Sequence, residues 1–303
     1  MALLFFVERQ TMNKREYIIF ILLFFAAAGL AGESALRTSA DANRPKKEIK
    51  KIVSLSPSNT EILFALGAGD EIVGVTTYCD YPAQALSKEK IGGFFAPDIE
   101  KIVLLNPDAI LANSTLQSEA IRQLQRAGLY VMPVKNANLD EILESIAIIA
   151  QTIGREKEGD ALRQKLDAGR RDAKIRLARY TGKPRVFIEV WDKPILTVGR
   201  RSYLSGLVAE AGGINVAGGA DADYYNWDIE KIYAANPDVY LRLRGNDMGS
   251  RADIMPDTLR ELEAVRGGRV VTVFGDWIVR PGPRSIEALP QIMDAVYSEG
   301  REK

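Results

Sequence analysis

Two stretches of the chain carry closely similar sequences. Residues 98–111 read DIEKIVLLNPDAIL, and residues 228–241 read DIEKIYAANPDVYL, which is 228 − 98 = 130 residues further along. In each stretch a helical pattern ends at Asn-Pro-Asp and a short apolar run follows, so each predicts a helix, a turn and a strand. Helix caps alone would explain Asn-Pro-Asp but not the matching residues in front of it. The similarity therefore indicates a duplication, and we predict two related lobes.

The sequence around the first stretch alternates between strand and helix patterns. Three apolar runs predict strands: 52–55, 72–75 and 109–112. A helix is predicted at 60–66, with Gly67 at its carboxyl end. The second half repeats this plan, since LFALGAG at 63–69 has a counterpart in LVAEAGG at 207–213. Because strands that alternate with helices form parallel sheets, we predict an α/β fold of two related lobes, each built on a parallel sheet.

A long helical region separates the two halves. An amphipathic segment at 139–153 is followed by Gly154 and by a charged helical run at 155–180. At 1.5 Å per residue the second helix would be roughly 35 to 40 Å long, which suits a stiff connection that allows only limited hinge closure. The domain prediction is an N-terminal lobe at 50–153, an interlobe helix at 154–182 and a C-terminal lobe at 183–303.

The beginning of the chain predicts export. The run IIFILLFFAAAGLA, from Ile18 to Ala31, is uncharged and follows two basic residues, which is the layout of a secretory signal peptide. It is shorter than the about 20 residues of a membrane span. We predict a signal peptide at 1–31, a flexible linker at 32–49 and a periplasmic location. Met12 is an alternative start, an uncleaved anchor is the alternative outcome, and no cysteine follows the apolar run for lipid attachment.

The composition excludes several kinds of function. The chain has 40 Lys and Arg residues against 40 Asp and Glu, so it offers no net positive charge to a nucleic acid. It has no histidine, which excludes Ser-His-Asp and Cys-His catalysis and His-ligated zinc or haem. Its one cysteine, Cys79, has no partner for a disulfide. We therefore predict no catalytic residue, no metal site and no bound cofactor.

Aromatic residues follow the predicted strands in both halves. In open α/β sheets ligands bind beyond the carboxyl ends of the strands. The candidates at these positions are Tyr78, Phe94, Phe95, Trp191, Tyr224 and Trp277. Each one alone could instead cap the core, but their presence in both halves favours a large ligand with flat apolar surfaces. Arg242 and Arg244 also follow a strand, where they either bind an anionic ligand or lie in a solvated loop.

Glu100 and Glu230 occupy the same position in the two DIEKI copies. Each lies in the first turn of a predicted helix, where the helix dipole alone favours a carboxylate. One acidic residue per lobe would also form a symmetric pair for docking onto a two-fold symmetric partner. Both explanations are open at this point.

Three groups of motifs can be compared with known families. They are SLSP at 54–57 with NTE at 59–61, VGV at 73–75 with Tyr78 and DYP at 80–82, and DW at 276–277 with Arg280 and PR at 283–284. With these motifs the chain from about Lys50 onward resembles the periplasmic cobalamin-binding proteins of ABC importers. They belong to a wider group of helical-backbone binding proteins that also carry ferric siderophores and haem.

The resemblance implies two Rossmann-like lobes joined by a single long α-helix, with the ligand cleft between the lobes. It also implies a role for individual residues. Tyr78 matches a tyrosine that packs on the corrin ring, whereas Phe94, Asn113 and Tyr224 fall where relatives have tryptophan. Asp276 and Arg280 match polar contacts to the amide periphery of the ligand, and Trp277 lies beside them. Glu100 and Glu230 match the glutamates that meet arginines on the permease dimer. The predicted ligand-binding residues are Tyr78, Phe94, Phe95, Asn113, Trp191, Tyr224, Asp276, Trp277 and Arg280.

The function predicted from these observations is capture of cobalamin or a related corrinoid in the periplasm, by a monomer that delivers it to an ABC transporter permease dimer. The first alternative keeps the fold and binds a ferric siderophore or haem. Four arginines could then serve an anionic chelate: Arg200, Arg201, Arg242 and Arg244. The second alternative is a carboxylate-based enzyme on the same scaffold, with Asp80 or Asp276 as a general base.

Overall fold

The computed structural model describes residues 48–244 and 257–297, without the side chains of Phe274 and Asp276. The predicted signal peptide, the alternative start at Met12 and nearly all of the predicted linker lie outside the described residues. From Glu48 onward the chain belongs to one unit. In the described ranges no helix has the length and apolar character to cross a membrane.

The first lobe is a parallel sheet with helices on its faces. Its strands are β1 (Ile52–Ser54), β2 (Ile72–Val75), β3 (Ala109–Asn113) and β4 (Val131–Val134), in the spatial order β2-β1-β3-β4. Its helices are α1 (Pro57–Ala65), α2 (Ile99–Leu105), α3 (Ser118–Arg126) and α4 (Leu139–Ile153). The helix α1 begins sharply because the Ser56 hydroxyl accepts the backbone N–H of Asn59 at 3.2 Å and Pro57 occupies its first position.

The helix α5 (Glu156–Leu177) leads from the first lobe to the second. The strands that follow are β5 (Arg185–Glu189), β6 (Trp191–Asp192), β7 (Ile195–Val198), β8 (Ile214–Asn215), β9 (Tyr224–Asn226), β10 (Val239–Arg244) and β11 (Val270–Phe274). The helices are α6 (Tyr203–Glu210), α7 (Ile229–Ala235), α8 (Glu263–Arg266), α9 (Asp276–Val279) and α10 (Ser285–Tyr297).

The second lobe repeats the sheet of the first. Its parallel sheet has the spatial order β11-β10-β5-β8, so the first strand of each lobe is flanked by the second and the third, and the fourth lies outside the third. The remaining strands form a small antiparallel sheet in the order β6-β7-β9. The described part of the first lobe has no such sheet. The sequence analysis did not predict this insert, because its strands are only two to four residues long.

The Asn-Pro-Asp turns have the same structural role in both lobes. Asn106 and Asn236 end helices α2 and α7 in the left-handed conformation, with φ of 47° and 37°, which asparagine tolerates better than most residues. The carboxylate of Asp108 then accepts two backbone N–H groups just before β1, each at 2.9 Å. Asp238 accepts the first N–H of β5 at 2.7 Å. The motif therefore ends a helix and fixes the start of the central strand.

Helix α5 lies close against both lobes. It has 22 residues, so it is about 33 Å long. A Cβ atom on Gly159 would lie 2.4 Å from the Cβ of Ala150 in α4, and one on Gly169 would lie 2.3 Å from the Cγ1 of Ile286 in α10. Glycine is therefore required at both crossing points. The main apolar core is continuous through this region, since it includes buried residues of α4, α5 and α10.

Arg170 links α5 to both lobes by charge. Its guanidinium binds the carboxylate of Asp140 at the start of α4, and its Nε donates to Glu210 at the end of α6 over 3.1 Å. These two hydrogen bonds raise the pKa of Arg170, Glu210 contributing more than Asp140. The bridging helix is therefore held to each lobe by apolar packing and by an ion pair.

Candidate ligand-binding cleft

Exposed aromatic rings lie on both lobes. In the first lobe Tyr78 is 52% exposed and Phe95 is 79% exposed, while Phe94 is partly buried. The ring of Phe95 meets that of Phe94 edge to face, with centroids 4.8 Å apart. A Cβ atom on Gly93 would lie 3.8 Å from Cε2 of Tyr78, so the loop that carries the two phenylalanines passes beside Tyr78. The structure therefore brings the three aromatic candidates of the first lobe together.

The second lobe presents its aromatic rings on the antiparallel insert. Trp191 pairs with Leu196 and Tyr224 pairs with Val198, and residues two apart on β7 point to the same side. Trp191 and Tyr224 thus share one face of this sheet, and they are 40% and 41% exposed. The Tyr224 hydroxyl lies beside Ser202, and burial there raises the pKa of Tyr224.

Trp277 is less open than the other aromatic candidates. It is partly buried and packs against the main core. Its indole lies over Gly275, where a Cβ atom would be 2.4 Å from Nε1 of Trp277, and Gly275 has a φ of 137° that only glycine adopts readily. The side chain of the neighbouring Asp276, also predicted to bind the ligand, lies outside what the structure describes.

Asn113 is engaged within its own lobe. It is only 5% exposed, its Nδ2 donates to Oδ1 of Asn136 at 2.9 Å, and its Oδ1 accepts the backbone N–H of Leu116 at 2.8 Å. Its amide therefore organises the loop that follows β3. The sequence gives no sign of this role, because the partner Asn136 is 23 residues away. The contact of Asn113 with a ligand, which the resemblance implies, stays a prediction.

Arg280 is engaged with the opposite lobe. Its guanidinium binds both carboxylate oxygens of Asp80, with Nη2 to Oδ2 at 3.2 Å, and Nη2 also donates to the backbone oxygen of Tyr78 at 3.4 Å. This hydrogen-bonded pairing lowers the pKa of Asp80. The predicted contact of Arg280 with a ligand therefore competes with a contact that the protein makes itself. A carboxylate with a lowered pKa is also a poor general base at neutral pH.

Arg284 forms a second contact across the lobes. Its Nε and Nη2 donate to the two carboxylate oxygens of Glu61 at 2.8 and 2.5 Å, and its Cζ lies 3.9 Å above the ring of Tyr81. Glu61 is almost completely buried, and this burial raises its pKa although Arg284 and Arg280 act in the opposite direction. The motifs at 59–61 and 283–284, which supported the resemblance, thus meet at the interface between the lobes.

The arginines considered for an anionic chelate have carboxylate partners. Arg242 and Arg244 both bind Glu189, the last residue of β5, which is fully buried and also accepts the Tyr240 hydroxyl at 2.6 Å. Arg200 lies 3.2 Å from a carboxylate oxygen of Asp221. Arg201 has two carboxylates within 4.0 Å, those of Asp221 and Asp223. The sequence analysis missed Glu189, because its partners come from another strand.

Glu100 and Glu230 are exposed on equivalent helices. They lie in the first turns of α2 and α7, and neither has an ion-pair partner within the described ranges. The helix starts differ slightly. Asp98 accepts the backbone N–H at the start of α2 at 3.0 Å, whereas Asp228 forms an ion pair with Lys231 at 2.9 Å. Both glutamates are thus accessible to a partner.

The described residues contain no group of three acidic, cysteine or histidine side chains that could hold a metal ion. Cys79 is buried among hydroxyl groups, with its Sγ 3.2 Å from Oγ1 of Thr60 and 3.1 Å from Oγ1 of Thr76. It is therefore a packed thiol of the first lobe.

Comparison with known proteins agrees with this description. Residues 52–274 match a family model described as periplasmic binding protein. The uncharacterized ABC transporter substrate-binding lipoprotein YvrC of Bacillus subtilis is 36% identical over 264 residues, which are 84% of this chain and 82% of that protein. This level of identity over most of both chains indicates a shared fold and a shared class of function.

Solved structures confirm the predicted two-lobed α/β fold. The periplasmic vitamin B12 binding protein BtuF of Vibrio cholerae superimposes with a TM-score of 0.75 at 26% identity, over 84% of this chain and 99% of that one. The periplasmic heme-binding protein RhuT of Roseiflexus sp. RS-1 gives 0.71 at 29%, over 84% and 100%. The enzyme alternative is set aside, because the matched family binds substrates for transport. The chain belongs to the periplasmic binding protein family and is an extracytoplasmic substrate-binding protein of an ABC transporter.

Proposed function

We propose that the protein captures cobalamin or a related corrinoid between its lobes and delivers it to the permease of an ABC transporter. The observation that carries the proposal is the set of exposed rings on both lobes. These rings are flat apolar surfaces whose exposure to water is unfavourable. They belong to Tyr78 and Phe95 of the first lobe and to Trp191 and Tyr224 of the second. A large planar ring system with apolar faces and edges would bury these surfaces.

The charges around the cleft support a ligand whose periphery is mostly uncharged. Arg242 and Arg244 share the buried Glu189, and Arg280 binds Asp80, so each of these guanidinium groups already has a carboxylate partner. A ligand surrounded by amide groups gains hydrogen bonds from such a cleft without needing an unpaired cation. The likeness to the vitamin B12 binding protein of Vibrio cholerae also supports this cargo.

Haem is the second candidate, and one observation favours it. Tyr78 and Tyr224 are exposed tyrosines, and tyrosine can ligate haem iron without histidine. The likeness to the heme-binding protein of Roseiflexus points the same way. Against haem, burial of its hydroxyl raises the pKa of Tyr224, which makes loss of the phenol proton on binding iron less favourable. A ferric siderophore, the other alternative cargo, would have to displace the carboxylates that now pair with the arginines.

Delivery would use the two exposed glutamates. We assign Glu100 and Glu230 to arginines on the two halves of the permease dimer, because the glutamates occupy equivalent places on the two lobes. The protein would act as a monomer that the signal peptide at 1–31 directs to the periplasm.

A titration tests the cargo. The purified protein from Gly32 onward would be titrated with cyanocobalamin and, separately, with hemin, and the quenching of tryptophan fluorescence would report binding. We expect one cyanocobalamin per chain at micromolar concentration or below, and retention of its red colour through gel filtration. Tight binding of hemin alone would reject the corrinoid proposal and select the haem alternative.

Variants locate the site. Tyr78→Ala and Trp191→Ala should each weaken binding of cyanocobalamin roughly 10- to 100-fold, because each removes a ring that the ligand would bury. Ile175→Ala, which truncates an exposed side chain on α5, is the matched control and should leave the affinity unchanged. Unchanged affinity in both aromatic variants would mean that the ligand binds elsewhere.

A further inference from the structure

The segment between α9 and α10 reaches across to the first lobe. It reads Arg-Pro-Gly-Pro-Arg from residue 280 to residue 284, so two prolines restrict its backbone. A Cβ atom on Gly282 would lie 3.6 Å from the Cα and the backbone oxygen of Ser58. The segment is therefore in backbone contact with the first turn of α1, and its two arginines are held in a fixed relation to the first lobe.

Arg284 makes the inner contact of this segment. The carboxylate of Glu61 is almost completely buried and receives two hydrogen bonds from Arg284, while Nη1 of Arg280 lies 4.0 Å from the same carboxylate. A buried charge that loses its partner is costly, so this pair resists opening. The inner contact anchors the segment.

Arg280 makes the outer contact. It binds the loop of the first lobe that carries Tyr78, a predicted ligand-binding residue. One guanidinium binds both carboxylate oxygens of Asp80 and the backbone oxygen of Tyr78. The ring of Tyr78 is half-exposed, so few packing contacts hold it, and its position depends on the backbone of this loop. The second lobe thus controls where an aromatic ring of the first lobe lies.

We propose that Arg280 is a positioning residue, which holds Tyr78 in place at the cleft through Asp80 while Arg284 and Glu61 anchor the same segment. As far as it concerns the ligand, this inference rests on the proposed function. It assigns Arg280 a role different from the direct ligand contact that the resemblance implies. The two roles differ in what they require of Asp80.

Asp80→Asn separates these roles. If Arg280 acts by positioning, both halves of the pair are needed, and Asp80→Asn should weaken ligand binding as Arg280→Met does. If Arg280 contacts the ligand directly, Asp80→Asn releases it from a competing carboxylate, and binding should stay the same or tighten. Loss of one charged hydrogen-bonded partner changes affinity by roughly tenfold or more, so the two outcomes are easily resolved.

The experiment measures two properties of the same variants. The first is the dissociation constant for cyanocobalamin. The second needs no ligand: hydrogen–deuterium exchange of the backbone amides in the Tyr78–Asp80 loop, at residues 76–82. We expect Asp80→Asn and Arg280→Met each to weaken binding roughly tenfold and to speed exchange in this loop roughly tenfold. Arg280→Lys keeps the charge but loses the two-pronged contact, and it should restore part of both properties.

Two further variants complete the test. Combining Tyr78→Ala with Arg280→Met should weaken binding no more than Tyr78→Ala alone, because Arg280 acts through Tyr78. Arg155→Met is the matched control, since Arg155 also forms an ion pair with a carboxylate, that of Glu71 at 2.7 Å, but inside the first lobe. It should change neither binding nor exchange at 76–82.

The results that would overturn the proposal are specific. Tighter or unchanged binding in Asp80→Asn, with weaker binding in Arg280→Met, would make Arg280 a direct ligand contact. Unchanged exchange at 76–82 in both variants would also reject the positioning role. If the wild-type protein binds no cyanocobalamin, the proposed cargo fails, but the exchange measurement still decides whether Arg280 holds the loop.

Discussion

The two lobes share a sheet but differ in how they present aromatic rings. Both have four parallel strands in the same topological order, and both use an Asn-Pro-Asp turn to start the central strand. The first lobe carries Tyr78 and Phe95 on loops, whereas the second carries Trp191 and Tyr224 on the hydrogen-bonded strands of its antiparallel insert. The exposed rings of the second lobe are therefore supported by their own sheet, whereas the loop of Tyr78 in the first lobe is contacted by Arg280 of the second lobe.

The difference shows which parts of a duplicated fold are free to diverge. The turns and the sheet order are kept because each lobe needs them to fold. Tyr78 and Trp191 follow strands whose counterparts in the other lobe carry no aromatic residue, whereas Phe94 and Tyr224 each lie four residues before a DIEKI copy. Glu100 and Glu230 also remain equivalent. This is the pattern expected when a two-fold symmetric partner meets both lobes and an asymmetric ligand lies between them.

The largest expected effect is on transport, when the charges of Glu100 and Glu230, the proposed docking residues, are reversed. Glu100→Arg together with Glu230→Arg should abolish uptake in a transport assay with reconstituted permease, because like charges would face each other, while cyanocobalamin binding stays intact. The single variants should reduce uptake to a similar extent if the lobes dock symmetrically. Glu144→Arg, at an exposed glutamate of α4, is the control for the added charge.

Loss of binding in the double variant would place these carboxylates in the ligand site or in the fold. Unequal effects of the two single variants would show that docking is dominated by one lobe.

The contact between the lobes gives the next largest effect. Arg284→Met leaves Glu61 buried without its main partner, which should lower the free energy of unfolding by about 3 to 5 kcal/mol. Removing both charges, with Glu61→Gln and Arg284→Met together, should recover part of this loss. Urea unfolding followed by circular dichroism measures both. Equal stability of Arg284→Met and the wild type would mean that water reaches Glu61 and solvates its charge.

The smallest expected effect is on how the stability of the folded protein depends on pH. The hydrogen bond from Arg280 lowers the pKa of Asp80 below its ordinary 3.8. A carboxylate with a lowered pKa in the folded state contributes stability that is complete above its unfolded pKa and is lost as the pH falls through the folded pKa. The outer contact should therefore persist at neutral pH and weaken only in acid below 3.8.

Glu61 acts in the opposite sense. Burial raises its pKa above 4.5, so the folded state binds a proton more readily, and the stability due to this group declines as the pH rises from 4.5 through the folded pKa.

The lowered pKa of Asp80 can be tested by urea unfolding from about pH 3 to pH 7. Asp80→Asn should lose less stability at the acid end than the wild type, because it lacks the carboxylate that must be protonated there. An identical acid limb in both proteins would contradict the lowered pKa of Asp80.

The sequence was informative wherever neighbouring residues determine the structure. The repeated DIEKI and Asn-Pro-Asp motifs predicted two α/β lobes, and the charged run after Gly154 predicted the bridging helix, which in the structure ends at Leu177. Helix periodicity, capping and left-handed turns are local properties, so they can be read from short stretches. The short strands of the antiparallel insert gave too few residues for such a pattern.

The candidate site was predicted less completely. The aromatic residues at the strand ends were identified, and Tyr78, Phe95, Trp191 and Tyr224 are indeed exposed. The polar candidates were harder, because a polar side chain is used by whichever partner lies nearest in space. Asn113, for example, is bound to Asn136, which lies 23 residues further along the chain.

By itself the sequence determined the fold class and the duplication, since these follow from local patterns. Only the tertiary structure decided which charges meet. Arg280 and Asp80 are 200 residues apart, Arg284 and Glu61 are 223 apart, and Glu189 meets its arginines through a neighbouring strand. The physical reason is that ion pairing depends on distance in space, which the chain fixes only after both lobes have folded and packed against helix α5.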